Sequence, residues 1–128
     1  MKKRNATIRT VPQYADLNLN GHIFGGWVLS QMDIAGGVAT SRRSNGQVAT
    51  VAVEGMTFHK PILVGDMICV YTDTIKEGTT SMTVNIEVIA ERGPDAKRVK
   101  VTEGKYIYVA IDENARPRPI DGANTLKG

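Results

Sequence analysis

A single helical segment followed by four long alternating segments limits the folds that this sequence can adopt. From about residue 25 to residue 43, apolar side chains such as Val28, Met32 and Ala35 recur at helical spacing. An Asn-Gly pair at 45–46 indicates a turn, and beyond it the apolar period changes to two. One helix must therefore cover the apolar face of a sheet that carries most of the chain.

The alternating segments predict strands that are joined mostly by short turns. In the clearest case Met82, Val84 and Ile86 face one way, and Gly104 in the last segment is predicted to form a bulge. Consecutive strands with short connections favour an antiparallel sheet. We therefore predict an α+β hotdog fold, in which a long antiparallel sheet wraps around one central helix and edge strands pair in a dimer. The predicted strands are residues 6–12, 48–60, 67–76, 81–92 and 98–112.

Length and composition indicate one domain that spans residues 1–128. A hydrophobic fraction of 41% suffices for an ordinary core. The stretch from about residue 117 to 128 holds few apolar groups, so we predict an extended tail there. The basic start lacks the apolar stretch of a secretory signal, and no run approaches the roughly 18 apolar residues of a membrane helix. We expect a cytoplasmic protein with no membrane partner.

The sequence lacks the motifs of several common sites. Two histidines and one cysteine argue against a Cys/His zinc site. The glycines at 21–26 follow neither the P-loop nor the GxGxxG pattern, and there is no GxSxG elbow. Aromatic residues make up only 5% of the chain, which weakens a base-stacking surface. We expect no metal, no cofactor and no nucleic-acid partner, although a net charge of +3 suits a polyanionic substrate.

Two features of the segment NLNGHIFGGWVLSQMD could carry chemistry. Gly25 and Gly26 stand at the predicted helix start, where unpaired N–H groups can polarise a carbonyl. The alternative is that these glycines only permit a tight turn from the loop into the helix. Asp33 lies in an otherwise apolar helix, either on an exposed strip or as a general base or nucleophile. Asn18 could position water or a carbonyl, or it could form an Asx turn.

Three blocks of the sequence closely resemble the YciA-type acyl-CoA thioesterases of the hotdog superfamily. The blocks are ADLNLNGHIFGGWVLSQMDIAGG, VATVAVEGMTFHKPILVGD and KEGTTSMTVNIEV, and the resemblance covers roughly residues 7–120. It implies hydrolysis of acyl-CoA to the free acid and CoA, with CoA present only as part of the substrate. It also implies a homodimer with shared active sites, assembled as a trimer of dimers.

The resemblance also implies roles for individual residues. Asn18 would position water or the thioester, Asp33 would act as base or nucleophile, and Gly25 and Gly26 would hold the thioester carbonyl. Asn18 of one subunit would face Asp33 of the other. Where some members carry an aspartate with a suggested catalytic role, this chain has His22, whose imidazole could serve as an acid or base.

Further positions are expected to bind the substrate. The turn at 78–81 matches a segment that lines the CoA channel, and several basic residues could meet the CoA phosphates. The expected substrate contacts are Phe24, Lys60, Gly78, Thr79, Thr80, Ser81, Arg92 and Arg116, with Lys97 and Arg118 as further phosphate candidates.

Two alternatives remain open from the sequence. A dehydratase or isomerase that acts on acyl thioesters would use His22 together with Asp33. A CoA- or nucleotide-binding module without catalysis would keep the fold and lose turnover.

Overall fold

One long helix packs on a five-stranded antiparallel sheet in the computed structural model, which describes residues 4–121. The predicted α+β hotdog architecture is confirmed. The helix begins and ends within one residue of its predicted bounds, because the glycine pair opens it and the Asn-Gly turn closes it. The elements are β1 (Ile8–Thr10), α1 (Gly25–Ser44), β2 (Val48–Phe58), β3 (Met67–Glu77), β4 (Ser81–Arg92) and β5 (Lys97–Ala110), with a short 3-10 turn at Tyr14–Asp16.

The sheet has the strand order β1-β3-β4-β5-β2, so β1 and β2 form its edges. Alternate side chains of the central strand β4 are fully buried, as the period of two predicts, and all of them except Met82 pack in one core with α1. On the helix side, Val28, Met32 and Ala35 fill the same core. The helix thereby closes the inner face of the sheet. The fully buried β4 side chains are Met82, Val84, Ile86, Val88 and Ala90.

Large apolar side chains remain exposed along the β2 edge and the neighbouring face of α1. Val51 and Val53 of β2 are 57% and 47% exposed, and Ile34 of the helix is 50% exposed. A free edge strand with apolar neighbours is a surface that another chain can cover.

The bulge predicted at Gly104 lies on the facing strand, so that prediction is wrong. Gly104 pairs regularly with Ile86, whereas β2 places both Gly55 and Met56 opposite it. Gly55 takes a left-handed conformation with φ 62°, which glycine adopts without strain. A Cβ on Gly104 would lie 2.6 Å from the Met56 methyl carbon, so glycine is needed there for close packing.

The chain end folds back over the carboxyl end of α1. Arg118 donates hydrogen bonds to the carbonyl oxygens of Ser44, Gln47 and Ile111. Ile120 is 4% exposed and packs into a small core cluster. Residues 122–128, the remainder of the predicted tail, lie outside the described residues. Within residues 4–121, no helix has the length and apolarity to cross a bilayer.

Candidate functional site

The first turn of α1 presents backbone amides that no side chain caps. Phe24 occupies the N-cap position in an extended conformation, and the first turn contains no acidic residue. The approach to the helix is fixed because Ile23 donates to Ile62 and Phe24 donates to the Asp16 carbonyl. In the part of the chain that the structure describes, the N–H groups of Gly25 and Gly26 have no acceptor. This end of the helix therefore carries a partial positive charge that is open to a ligand oxygen.

A cleft of about 280 Å³ opens at this helix start. Its walls are mainly apolar, and Lys60 supplies a cation close to Gly25. Phe58 lines the cleft and is 51% exposed, and Phe24, which precedes Gly25, is 41% exposed. A Cβ on Gly26 would come within 3.3 Å of the Phe24 ring, so the glycine leaves room for that ring. The cleft is lined by Ile23, Gly25, Val28, Phe58, His59, Lys60, Pro61, Ile62 and Val101.

Asn18 forms the Asx turn that the sequence left open as an alternative. Its Oδ1 accepts from the backbone N–H groups of Asn20 and His22, at 2.8 and 3.1 Å. The Asn18 backbone N–H also donates to the His22 carbonyl at 2.6 Å. Since two donors hold Oδ1, the orientation of the amide is set. The Nδ2 donor has no acceptor among the described residues and is the atom that can meet a ligand.

His22 contributes its backbone to this turn. Its side chain is partly buried, and the imidazole makes no hydrogen bond to any residue between 4 and 121. The structure places it in the loop ahead of the cleft without bringing a carboxylate to it. No group of three or more His, Cys, Asp or Glu side chains is arranged to hold a metal ion in that same range.

Asp33 is partly buried and is held by two hydroxyl groups that the sequence analysis missed. The Tyr108 hydroxyl lies 2.9 Å from Asp33 Oδ1, and Thr50 Oγ1 donates to the same oxygen at 2.6 Å. A signal for Tyr108 was present, because a tyrosine on the inward face of a strand needs a partner for its hydroxyl. The identity of that partner depends on packing between distant segments.

The two inward tyrosines of β5 stay protonated well above neutral pH. Burial raises the pKa of Tyr106 to about 12, with a smaller effect from the negative charge of Asp33. Burial, then the charge and hydrogen bond of Asp33, raise the pKa of Tyr108 further above its usual range. The Tyr108 hydroxyl is therefore the donor and the Asp33 carboxylate the acceptor.

Within one chain, Asp33 lies far from the start of α1. Asp33 follows Gly25 by eight residues on the same helix, which is about 12 Å along the axis at 1.5 Å per residue. A carbonyl bound at the Gly25 amide is therefore out of reach of the same chain's carboxylate. No hydrogen bond joins Asn18 to Asp33 within the described chain.

The turn between β3 and β4 lies at the opposite end of α1 from the cleft. Arg43 near the end of the helix bonds Glu77 at 2.8 Å, next to this turn. The backbone carbonyls of Thr79 and Thr80 accept from Ile120 and Ala110 at 2.8 Å each, and Gly78 donates to Ser81. The predicted channel residues Gly78, Thr79, Thr80 and Ser81 are thus remote from the Gly25 cleft of their own chain.

Some of the basic residues that were predicted to bind the CoA phosphates form hydrogen bonds within the chain, and others do not. Arg92 makes two hydrogen bonds to Asp66, at 2.8 and 2.9 Å, and one to the Pro61 carbonyl. Asp66 is only 2% exposed, so a phosphate at Arg92 would compete with a buried carboxylate. Arg118 is occupied by helix-end carbonyls. Lys60 and Arg116 are exposed, and neither side chain has a hydrogen-bond partner among the described residues.

The chain is similar to known thioesterases in sequence and in fold. Residues 20–97 match the profile of the thioesterase superfamily. An acyl-CoA thioester hydrolase YciA from Salmonella typhimurium is 48% identical over 116 residues, which cover 88% of this chain and 87% of that protein. The hexameric thioesterase y2039 from Yersinia pestis has a TM-score of 0.88 at 43% identity, covering 95% of this chain and 99% of the other. HI0827, a hexameric broad-specificity acyl-coenzyme A thioesterase, has a TM-score of 0.87 at 40% identity, covering 97% and 86%.

Proposed function

We propose that this chain, which belongs to the thioesterase superfamily, hydrolyses acyl-CoA thioesters to the free acid and CoA. The observation that carries the proposal is an uncapped helix start that opens onto an apolar cleft. The same helix also presents a carboxylate that two hydroxyls hold in place. The relatives named above support acyl-CoA as the substrate class.

Each active site is shared between two chains. The distance between Gly25 and Asp33 on one helix supports a site in which the carboxylate comes from a partner chain. Val51, Val53 and Ile34 provide an exposed apolar surface beside Asp33, and an isologous dimer across it would use the same patch twice. Three such dimers form the assembly, in keeping with the hexameric relatives.

Hydrolysis follows from the groups that this arrangement brings together. The amides of Gly25 and Gly26 bind the thioester carbonyl oxygen and stabilise the negative charge that develops on it. Asp33 takes a proton from water, whose oxygen adds to the carbonyl carbon, and Asn18 Nδ2 donates to the water or the carbonyl. The C–S bond then breaks. Because a thiol has a pKa of about 8.5, CoA leaves as a thiolate without a strong general acid.

The remaining contacts hold the CoA portion. Lys60 lines the cleft and meets a phosphate, and the exposed ring of Phe24, next to Gly25, packs on the acyl or pantetheine chain. The turn at 78–81 is remote from the cleft of its own chain, so we assign this turn, together with Arg116, to the substrate bound by the partner chain. CoA enters as part of the substrate, and no further cofactor takes part.

Replacement of Asp33 by Asn tests the assignment. The amide cannot accept the proton, so we expect turnover of a short-chain acyl-CoA to fall about 10²- to 10⁴-fold, as measured by trapping the released thiol. Asp95→Asn is a matched control because Asp95 lies on an exposed turn, and it should hydrolyse at the wild-type rate. Wild-type turnover in Asp33→Asn would remove Asp33 from the mechanism. Tight CoA binding by the wild-type protein without thiol release would instead indicate a binding module.

A further inference from the structure

Tyr108 reaches α1 through a gap that a glycine leaves. Gly36 is buried, and a Cβ at this position would lie 2.1 Å from the Tyr108 hydroxyl oxygen. No larger residue fits there while Tyr108 keeps its place. Through this gap the hydroxyl comes within 2.9 Å of Asp33 Oδ1 and 3.1 Å of the Asp33 backbone carbonyl oxygen. The packing of helix on strand therefore delivers one hydroxyl to the carboxylate.

Both side-chain donors to Asp33 bind the same carboxylate oxygen. Thr50 on β2 and Tyr108 on β5 approach Oδ1 from two strands, which fixes the rotation of the carboxylate group. Oδ2 accepts no hydrogen bond from any residue in the described range 4–121. It is therefore the oxygen that is left for a water molecule.

We propose that Tyr108 and Thr50 are positioning residues that orient the Asp33 carboxylate so that Oδ2 takes the proton from water. This proposal rests on the proposed function, in which Asp33 is the base. Tyr106 and Tyr108 on β5 are the titratable groups that face Asp33 in the described chain, and both remain neutral near pH 7.

Tyr106 offers an internal control on the same strand. Its hydroxyl donates to the Leu29 carbonyl of α1 at 2.9 Å, and its ring stacks on that of Tyr108 with centroids 6.3 Å apart. Both tyrosines are 1% exposed. Tyr106→Phe therefore removes a buried hydroxyl and a bond to the helix, as Tyr108→Phe does, but it removes no bond to the carboxylate.

The experiment compares Tyr108→Phe with Tyr106→Phe in the assembled full-length protein. Thiol trapping with a short-chain acyl-CoA gives kcat and KM. For Tyr108→Phe we expect kcat to fall about tenfold to a hundredfold, since a hydrogen bond to a charged group is lost. KM should stay within about twofold. Tyr106→Phe should keep the wild-type kcat.

Thr50 provides a second pair of variants on an exposed position that does not depend on the core. Thr50→Val removes the donor and should lower kcat in the same direction. Thr50→Ser keeps the hydroxyl and should restore it. This pair decides the proposal if Tyr108→Phe does not assemble, as judged by circular dichroism and size-exclusion chromatography.

The outcomes separate this proposal from the proposed function. The positioning roles are wrong if Tyr108→Phe has the same kcat as Tyr106→Phe and Thr50→Val the same kcat as Thr50→Ser. If Asp33→Asn is inactive in that case, the assignment of Asp33 as the base is retained. If Asp33→Asn retains wild-type turnover, the base itself is misassigned. A raised KM with an unchanged kcat in Tyr108→Phe would also overturn the proposal.

Discussion

The side chains of Asn18 and Asp33 share one feature, which is that hydrogen bonds hold one polar atom and leave the other open. In each side chain one oxygen is held by two donors of the same chain, backbone amides for Asn18 and hydroxyls for Asp33. The second polar atom of each group is left open. In the proposed mechanism their orientation is thus fixed before a substrate arrives, and less reorganisation is required during the reaction.

Alanine substitutions at two adjacent glycines of α1 are expected to change the free energy of unfolding in opposite directions. Gly36→Ala would place a methyl group 2.1 Å from the Tyr108 hydroxyl, so we expect a loss of about 1–3 kcal/mol in unfolding free energy. Gly37→Ala meets nothing within 4 Å and should gain up to about 1 kcal/mol from helix propensity. Urea denaturation of both variants at one protein concentration checks this. Equal effects at the two positions would contradict the packing argument.

The sequence predicted the candidate site residues but not the side chains that form hydrogen bonds with them. The motif placed Asn18, Gly25, Gly26 and Asp33 on the correct loop and helix, because local spacing determines which element a residue joins. Thr50 lies on another strand, and only the assembled sheet brings it within hydrogen-bond distance of the helix. Contacts of this kind depend on register and side-chain rotamer, which a single sequence does not reveal.

The spacing of the two β5 tyrosines matches the pitch of the helix. Residues two apart on a strand lie about 6.8 Å apart, and residues four apart on a helix lie about 6 Å apart. Tyr106 accordingly donates to the Leu29 backbone carbonyl. The Tyr108 hydroxyl, which donates to the Asp33 carboxylate, lies 3.1 Å from the Asp33 backbone carbonyl oxygen, one helical turn further along. The strand therefore anchors the helix at two successive turns.

The buried tyrosines of β5 are expected to lower the free energy of unfolding at alkaline pH. Their pKa values in the folded protein lie above the ordinary value of 10.0, reaching about 12 for Tyr106. Below pH 10 both states are neutral, and above it the unfolded state loses protons first, so stability falls as pH rises. Urea denaturation above pH 10 should show a flatter decline for Tyr106→Phe than for wild type. Tyr14→Phe, with a ring that is 79% exposed, should keep the wild-type slope.

Element positions followed from periodicity, whereas local irregularities did not. Alternation along β4 predicted its buried face, because each second residue must meet the helix. The bulge was assigned to Gly104, yet it formed at Gly55 and Met56 on the facing strand. A glycine in a strand marks a close approach, and the sequence does not show which of two paired strands carries the extra residue.

At the scale of the whole molecule, the proposed mechanism needs two chains. The amides at the start of α1 and the carboxylate of Asp33 are separated along the same rigid element, and an exposed apolar edge lies beside the carboxylate. In the proposed dimer the two halves of each site come from different chains, so activity would depend on assembly.

Mixing two inactive variants tests this sharing. Asn18→Ala and Asp33→Asn each disable every site in their own homodimer. A mixed dimer contains one site with both wild-type halves, so subunit exchange should restore about one quarter of wild-type turnover by random pairing. The Asn18→Ala/Asp33→Asn double variant, exchanged with Asp33→Asn, should restore none. An absence of recovery in verified mixed dimers would place both groups in one chain.

The uncapped start of α1 implies a trade-off between heat resistance and turnover. Ser or Asp in place of Phe24 would give the Gly26 amide an internal acceptor and strengthen the helix by about 1 kcal/mol. In the proposed mechanism that acceptor would also occupy the position that the thioester oxygen needs. A capped helix end would therefore resist heat better and turn over less substrate, whereas the open end gives up that stability and keeps the amide free for a ligand.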